Sequence, residues 1–228
     1  REEGNKNATR ADETTTYNVA NIYANYMDTY LARHQLSLTA GYNQEYFRSE
    51  YFSAYKDGII SASLPSIALA TGDAQVSEYI GDWAVRGAFY RLNYTLDDKY
   101  IVELNGRYDG SSRFPKEKRF GFFPSASAAW KITSESFMAN QNIISNLKLR
   151  ASYGSLGNQS VGNYGYIPTM SASNGSYIFG DALPQKITPP SIVSSNYTWE
   201  GVTSANLGLD FGFIKNKLIN CKLVNVRF

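Results

Sequence analysis

Residues 100–110, YIVELNGRYDG, change character at almost every step. Tyr100, Val102, Leu104, Gly106 and Tyr108 fall on one side of an extended chain, and Glu103, Asn105, Arg107 and Asp109 on the other. Successive side chains of a β-strand point to opposite faces. The period of two therefore predicts a strand with one apolar and one polar face, and it excludes a helix, which would scatter both sets around its axis.

The same pattern recurs along the chain. In His34 to Phe47, Leu36, Leu38, Ala40, Tyr42 and Tyr46 alternate with Gln35, Ser37, Thr39, Asn43 and Glu45. Trp83 to Leu96, Phe120 to Ile132, Leu147 to Ser155 and Ala205 to Phe213 repeat it, and Tyr17 to Tyr30 does so less cleanly. LAR, DDK and KNK read as tight turns. Residues 56–81 and 156–198, rich in Gly, Pro, Asn and Ser, read as long loops, and GSSRFPKEKR as an intermediate one. Residues 133–146 read as a short helical turn opening at a Ser or Thr cap.

Composition excludes several functions. A single Cys and a single His rule out an internal disulfide and make the usual His/Cys zinc site untenable, so no cofactor is expected. A net charge of +2 gives no reason to expect nucleic acid. No apolar run reaches the ~18 residues of a spanning helix, which leaves open a membrane barrel, whose strands show only half their residues to lipid.

Two all-β architectures fit: a transmembrane barrel wall, and a soluble, carbohydrate-binding β-sandwich. Strands of roughly 10–14 residues suit a tilted barrel strand, which needs about 9–11, better than a globular one of about 5–6. Tyr42, Tyr94, Tyr100, Tyr108, Phe120 and Trp130 lie on apolar faces near strand ends, where an interfacial aromatic girdle would stand. The opposite faces carry Glu, Arg, Asp and Asn, which a wet lumen accepts and a dry core does not. Short turns at one end and long loops at the other match an outer-membrane barrel.

The stretch YDGSSRFPKEKRFGFFPSASAAWKI resembles SusC/RagA-type TonB-dependent outer-membrane transporters. LKLRASYGSLGNQ at 147–159 and WEGVTSANLGLDFGF at 199–213 extend the resemblance in order, and it covers residues 16–214. It implies an antiparallel up-and-down transmembrane β-barrel of 22 strands closed by a plug, in the outer membrane of a Gram-negative bacterium. About seven or eight strands and no plug are expected here, hence a fragment not transport-competent alone. The family imports oligosaccharides or peptides, is energised by TonB and pairs with a SusD-type lipoprotein. INCKLVNVRF departs from the family's pattern, so 215–228 is expected to be an aberrant tail.

No catalytic site emerges. Glu103 and Asp109 share a face but lie six residues apart, about 20 Å at strand rise, whereas paired glycosidase carboxylates stand within about 10 Å. They read as lumen groups balanced by Arg107. His34 stands alone at a strand start. Arg113, Lys116, Lys118 and Arg119 form a basic loop, read either as a lipopolysaccharide contact or as solvated surface. Tyr164, Tyr166, Tyr177 and Phe179 in the second long loop are the candidates for stacking on a ligand or packing on a partner.

Overall fold

The computed structural model describes residues 7–61, 63, 65–141, 143–180, 182–213 and 218–227. Among them the strands are β1 (Asn7–Tyr30), β2 (His34–Asp57), β3 (Ala74–Leu96), β4 (Tyr100–Ser111), β5 (Phe120–Lys131), β6 (Ile144–Asn158), β7 (Ala172–Asn174), β8 (Gln185–Ile187), β9 (Glu200–Phe213) and β10 (Leu218–Arg227). Eight form one sheet in the order β1-β2-β3-β4-β5-β6-β9-β10, while β7 and β8 pair with each other. Every ladder from β3 to β10 is antiparallel. The chain divides into two compact units, residues 1–19 with 45–84, and residues 20–44 with 85–228.

In the first unit, Phe47 and Trp83 stack at 5.6 Å, and Tyr17 meets both rings at 6.4 and 6.3 Å. Tyr17 Oη donates to the Glu45 carboxylate at 2.9 Å.

The second unit has its amphipathicity reversed relative to a water-soluble protein. Register sets Tyr100, Val102, Leu104 and Tyr108 of β4 opposite Trp130, Ala128, Ala126 and Phe122 of β5. Along both strands most of the apolar row is exposed, with Tyr108 at 52% and Phe122 at 54%, while most of the polar row is half-buried or, at Asp109, buried, with Arg107 and Lys131 exposed. The same face continues through Leu149 and Tyr153 on β6 and Leu207 and Leu209 on β9. Among the described residues the largest fully buried side chains are Phe114 and Ser111, and no second sheet covers the apolar face. The β-sandwich alternative is thereby excluded. Burial contributes about 25 cal/mol per Å² of apolar surface, and here only lipid can supply it.

Strand lengths depart from the sequence reading. β1, β2 and β3 have 24, 24 and 23 residues, so β1 extends about 80 Å at strand rise against a hydrocarbon core of ~30 Å. The loop expected at 56–81 contracts because β2 runs to Asp57 and β3 opens at Ala74. Gly81, read as a breaker, lies inside β3, and a Cβ there would come within 2.5 Å of the Tyr79 hydroxyl; the neighbouring ring covers it, as aromatics do for strand glycines. The loop expected at 156–198 also shortens, to the residues between β6 and β9, and contains the β7–β8 hairpin. The helical turn expected at 133–146 becomes two 3₁₀ turns, Ile132–Ser134 and Ser136–Met138. Gln141 explains the stop: its side chain accepts from the Ile143 and Ile144 amides and donates to the Ile144 carbonyl, starting β6.

Both described tight turns are two-residue loops with consecutive positive φ: Leu31 and Ala32 at 52° and 55°, Asp97 and Asp98 at 54° and 55°. Each closes with an i+3 amide bond, Arg33 to Tyr30 and Lys99 to Leu96, the hairpin geometry that matches strand twist. The KNK turn, residues 215–217, lies outside the described residues, as does Phe228. The segment expected to be an aberrant tail holds β10, paired with β9 from Leu218↔Phe213 to Arg227↔Ser204.

Candidate functional site

The polar face of the second unit is a hydrogen-bonded ladder. Arg91 Nε donates to Asn105 Oδ1 at 2.9 Å, and Asn105 Nδ2 to Glu103 Oε1 at 2.6 Å. Arg107 grips Asp109 with two bonds of 2.9 and 3.0 Å, its guanidinium 5.7 Å from the Phe89 ring centre. Arg150 Nη2 donates to Asp210 at 2.8 Å. Glu103 and Asp109 thus hold separate partners, which suits structural groups on a wet wall and not an acid–base pair. Gly87 makes room for Asp109: a Cβ at Gly87 would fall 1.8 Å from its Oδ1.

At the loop end, YDGSSRF builds a small buried core. β4 ends at Ser111, which is 1% exposed and whose amide donates to the Arg119 carbonyl at 3.1 Å. The Phe114 amide donates back to the Ser111 carbonyl at 3.4 Å, which turns the Phe114 ring inward to 0% exposure. That ring packs against Trp199 at 5.2 Å and Tyr197 at 6.0 Å, and Phe123 meets Trp199 edge-on at 5.2 Å. Pro124 clears the space. It has no amide to donate, and the β5–β6 ladder begins only at Ser125↔Gly154. Beyond it, the Phe123 ring lies over Gly157, where a Cβ would come within 2.1 Å.

At three of its four positions the basic loop bonds other loop atoms. Arg113 donates to Asn163 Oδ1 and to the Gln159 carbonyl at 3.1 and 3.3 Å. Lys118 Nζ donates to the Ser195 carbonyl at 2.7 Å, and Arg119 Nε to the Phe114 carbonyl at 3.0 Å. Trp199 Nε1 donates to the Arg119 carbonyl at 2.8 Å, and Thr198 Oγ1 to the Lys118 carbonyl at 3.2 Å. The cations satisfy loop carbonyls, and so latch both roots of the 159–199 loop to the 112–119 connection.

The four candidate contact residues separate. Tyr166 is half-buried, 6.5 Å from Tyr197, and serves as an anchor. Tyr164 is exposed in a turn with φ 58°. Tyr177 and Phe179 are each 81% exposed between β7 and β8, beyond the latch. Sequence reasoning missed Phe114 and Trp199; the available signal was two large aromatics, RFP and TWEG, in otherwise polar connections.

At the tight-turn end, Tyr100 and Trp130 stack at 6.5 Å, and both donate to Glu135 Oε1, at 2.6 and 3.0 Å. Lys99 Nζ donates to the other carboxylate oxygen at 3.1 Å. The Tyr100 hydroxyl first, then the Trp130 and Lys99 N–H groups, hold the Glu135 carboxyl below the usual range. Next to it, Arg33 grips Asp97 with bonds of 2.6 and 2.7 Å and lowers its pKa. Tyr94 bonds the expected lone His34 at 2.7 Å. Tyr108 and Phe120 stack at 5.2 Å at the opposite end of β4. Tyr100 and Tyr108 are eight residues apart, about 26 Å at strand rise and near 20 Å once tilted, close to the ~25 Å apolar band of outer-membrane barrels. Tyr42 lies on the exposed face of β2, bonded to Gln44 at 3.1 Å.

Long antiparallel strands with an exposed apolar face and a hydrogen-bonded polar face define a segment of an outer-membrane β-barrel wall. A family model described as TonB dependent receptor-like, beta-barrel, matches residues 2–220, and the chain belongs to that family, on its SusC/RagA side. It is 33% identical to the TonB-dependent receptor SusC of Bacteroides thetaiotaomicron over 210 residues, 89% of this chain and 20% of that protein. It is 31% identical to TonB-dependent receptor P3 of Formosa agariphila over 92% of this chain and 21% of that one. Its fold matches the structure of the RagAB peptide transporter with a TM-score of 0.77 at 24% identity, covering 97% of this chain and 24% of that chain. The chain thus spans about a fifth of the length of its curated relatives. Its place is the outer membrane of a Gram-negative bacterium.

Proposed function

We propose that this sheet is part of the wall of a transporter that brings oligosaccharides or peptides across the outer membrane, together with a SusD-type lipoprotein at its loop end and TonB as its source of energy. The carrying observation is the pairing of a lipid-ready apolar face with a hydrogen-bonded polar wall beneath a latched loop. The likeness to the RagAB peptide transporter supports the peptide class, and the oligosaccharide class rests on the resemblance to the SusC/RagA family. The sheet's edge strands are β1 and β10, and unpaired edge groups cannot be satisfied by lipid; transport therefore belongs to the closed barrel this wall helps to form. No covalent chemistry is needed, only capture and passage.

Tyr177 and Phe179 are the residues assigned to ligand or partner contact, with Tyr164 beside them and Tyr166 as their anchor. Deleting the gene in its host and growing the strain on single oligosaccharides, then on peptides, tests the reading. Loss of growth on one class identifies the cargo; unchanged growth on both overturns the assignment. Replacing Tyr177 and Phe179 with Ala is expected to weaken uptake or lipoprotein co-purification by about tenfold or more, since exposed aromatic anchors dominate such contacts.

A further inference from the structure

On the apolar face at the tight-turn end, Tyr100, Val102, Ala128, Trp130, Leu149 and Ala151 line a groove of about 250 Å³. Its floor is low because Val102 pairs with Ala128 and Ala128 with Ala151, two small residues side by side between Trp130 and Leu149 at one end and Leu104 and Tyr153 beyond Ala126 at the other. Its mouth is fixed by the stacked Tyr100 and Trp130. Their polar hydrogens are taken by Glu135, so the rings cannot swing to fill the groove. Lys99 completes the cluster and places a cation beside the mouth, 26% exposed.

We infer that this groove is a binding site for one glycerophospholipid, its acyl chain along Ala128 and Ala151 and its phosphate beside Lys99. The groove is continuous with the lipid-facing surface of the sheet. It lies at the end of the tight turns, which in outer-membrane barrels is the periplasmic side, where the leaflet is phospholipid and not lipopolysaccharide. The charge order also fits: a chain seated between the rings brings its headgroup out at the Lys99–Glu135 pair. Phe137 and Ile143, 68% and 70% exposed in the connection that carries Glu135, extend the apolar surface at this level.

The inference rests on the membrane orientation of the sheet, and its test separates the two. The closed barrel that contains this wall is reconstituted into vesicles of phosphatidylethanolamine and phosphatidylglycerol, extracted in mild detergent and delipidated stepwise, with retained lipid read by native mass spectrometry. One phospholipid is expected to persist on the unmodified chain. Ala151→Phe, which fills the groove, is expected to lose it at least tenfold more readily. Ala126→Phe, on the same face outside the groove, is expected to retain it. Lys99→Met, which removes the cation beside the phosphate, is expected to weaken retention of both phospholipids. Equal retention by Ala151→Phe and Ala126→Phe, or retention of lipopolysaccharide in its place when both are offered, overturns the site. Should Ala151→Phe not fold, brominated phospholipid serves on the unmodified chain: quenching of tryptophan emission that survives delipidation and is absent in Trp130→Phe supports the site, and quenching lost with bulk lipid overturns it. Failure of the closed barrel to enter vesicles at all would strike at the barrel reading.

Discussion

Phe114 is the residue on which the loop end turns. Its burial is complete while Phe122, eight positions on, is more than half exposed, so two phenylalanines in one motif have opposite solvents. Phe114→Ala is expected to cost about 3 kcal/mol, near the low end for an aromatic truncation because the pocket borders open loop. Limited proteolysis should then cut within 159–199 far faster than in the parent, while Phe122→Ala leaves that rate unchanged. Leu31 and Ala32 make a second case. Neither favours positive φ, yet both adopt it. Replacing the pair with Asn-Gly is expected to stabilise the hairpin by about 0.5–1 kcal/mol, read as a higher urea midpoint. Phe114 was not visible as a core residue from the sequence, because inwardness there comes from the bond to Ser111 and from Trp199, 85 residues away.

At the scale of elements, the tight-turn end is a chain of charged clasps. Arg33 with Asp97 joins the β1–β2 and β3–β4 turns, and Lys99 with Glu135 ties in the β5–β6 connection. Both carboxyls titrate below their ordinary values. A depressed acid adds stability above its unfolded pKa, about 3.9 for Asp and 4.3 for Glu, and that stability is lost as pH falls through the folded value. Urea midpoints are therefore expected to be level from pH 7 to about 4 and to fall below it. Glu135→Gln should flatten part of that fall and shift Trp130 emission at neutral pH. The sequence exposed the turns through LAR and DDK, and the strands through period two. It hid the extent of β1 to β3, since a strand outside the membrane no longer needs one apolar face and loses the alternation.

For the molecule as a whole, solvent decides everything. Among the described residues, the sheet of the second unit has a polar side already hydrogen-bonded and an apolar side with nothing of its own to pack on. Leu104→Arg, at mid-height on the apolar row, is expected to destabilise the vesicle-folded barrel that contains this wall by about 2–4 kcal/mol. Asn105→Arg, one step along on the polar row, is expected to cost far less. Similar losses at both positions, measured by urea titration in vesicles, would mean that the two faces are not solvated as described.

The sequence by itself determined the strands of the second unit, their two faces and the family, because period-two alternation and ordered motifs are local properties of the chain. Only the tertiary structure decided what the loop residues do. Arg113, Lys118 and Arg119 read as a charged surface until the fold brought the carbonyls of Gln159, Ser195 and Phe114 to them. Tyr166 became an anchor, and Tyr177 and Phe179 stayed outside, for the same reason: contacts such as Tyr166 with Tyr197, Arg113 with Gln159 and Lys118 with Ser195 join positions 31, 46 and 77 residues apart, and are set by strand order and register, which composition does not encode.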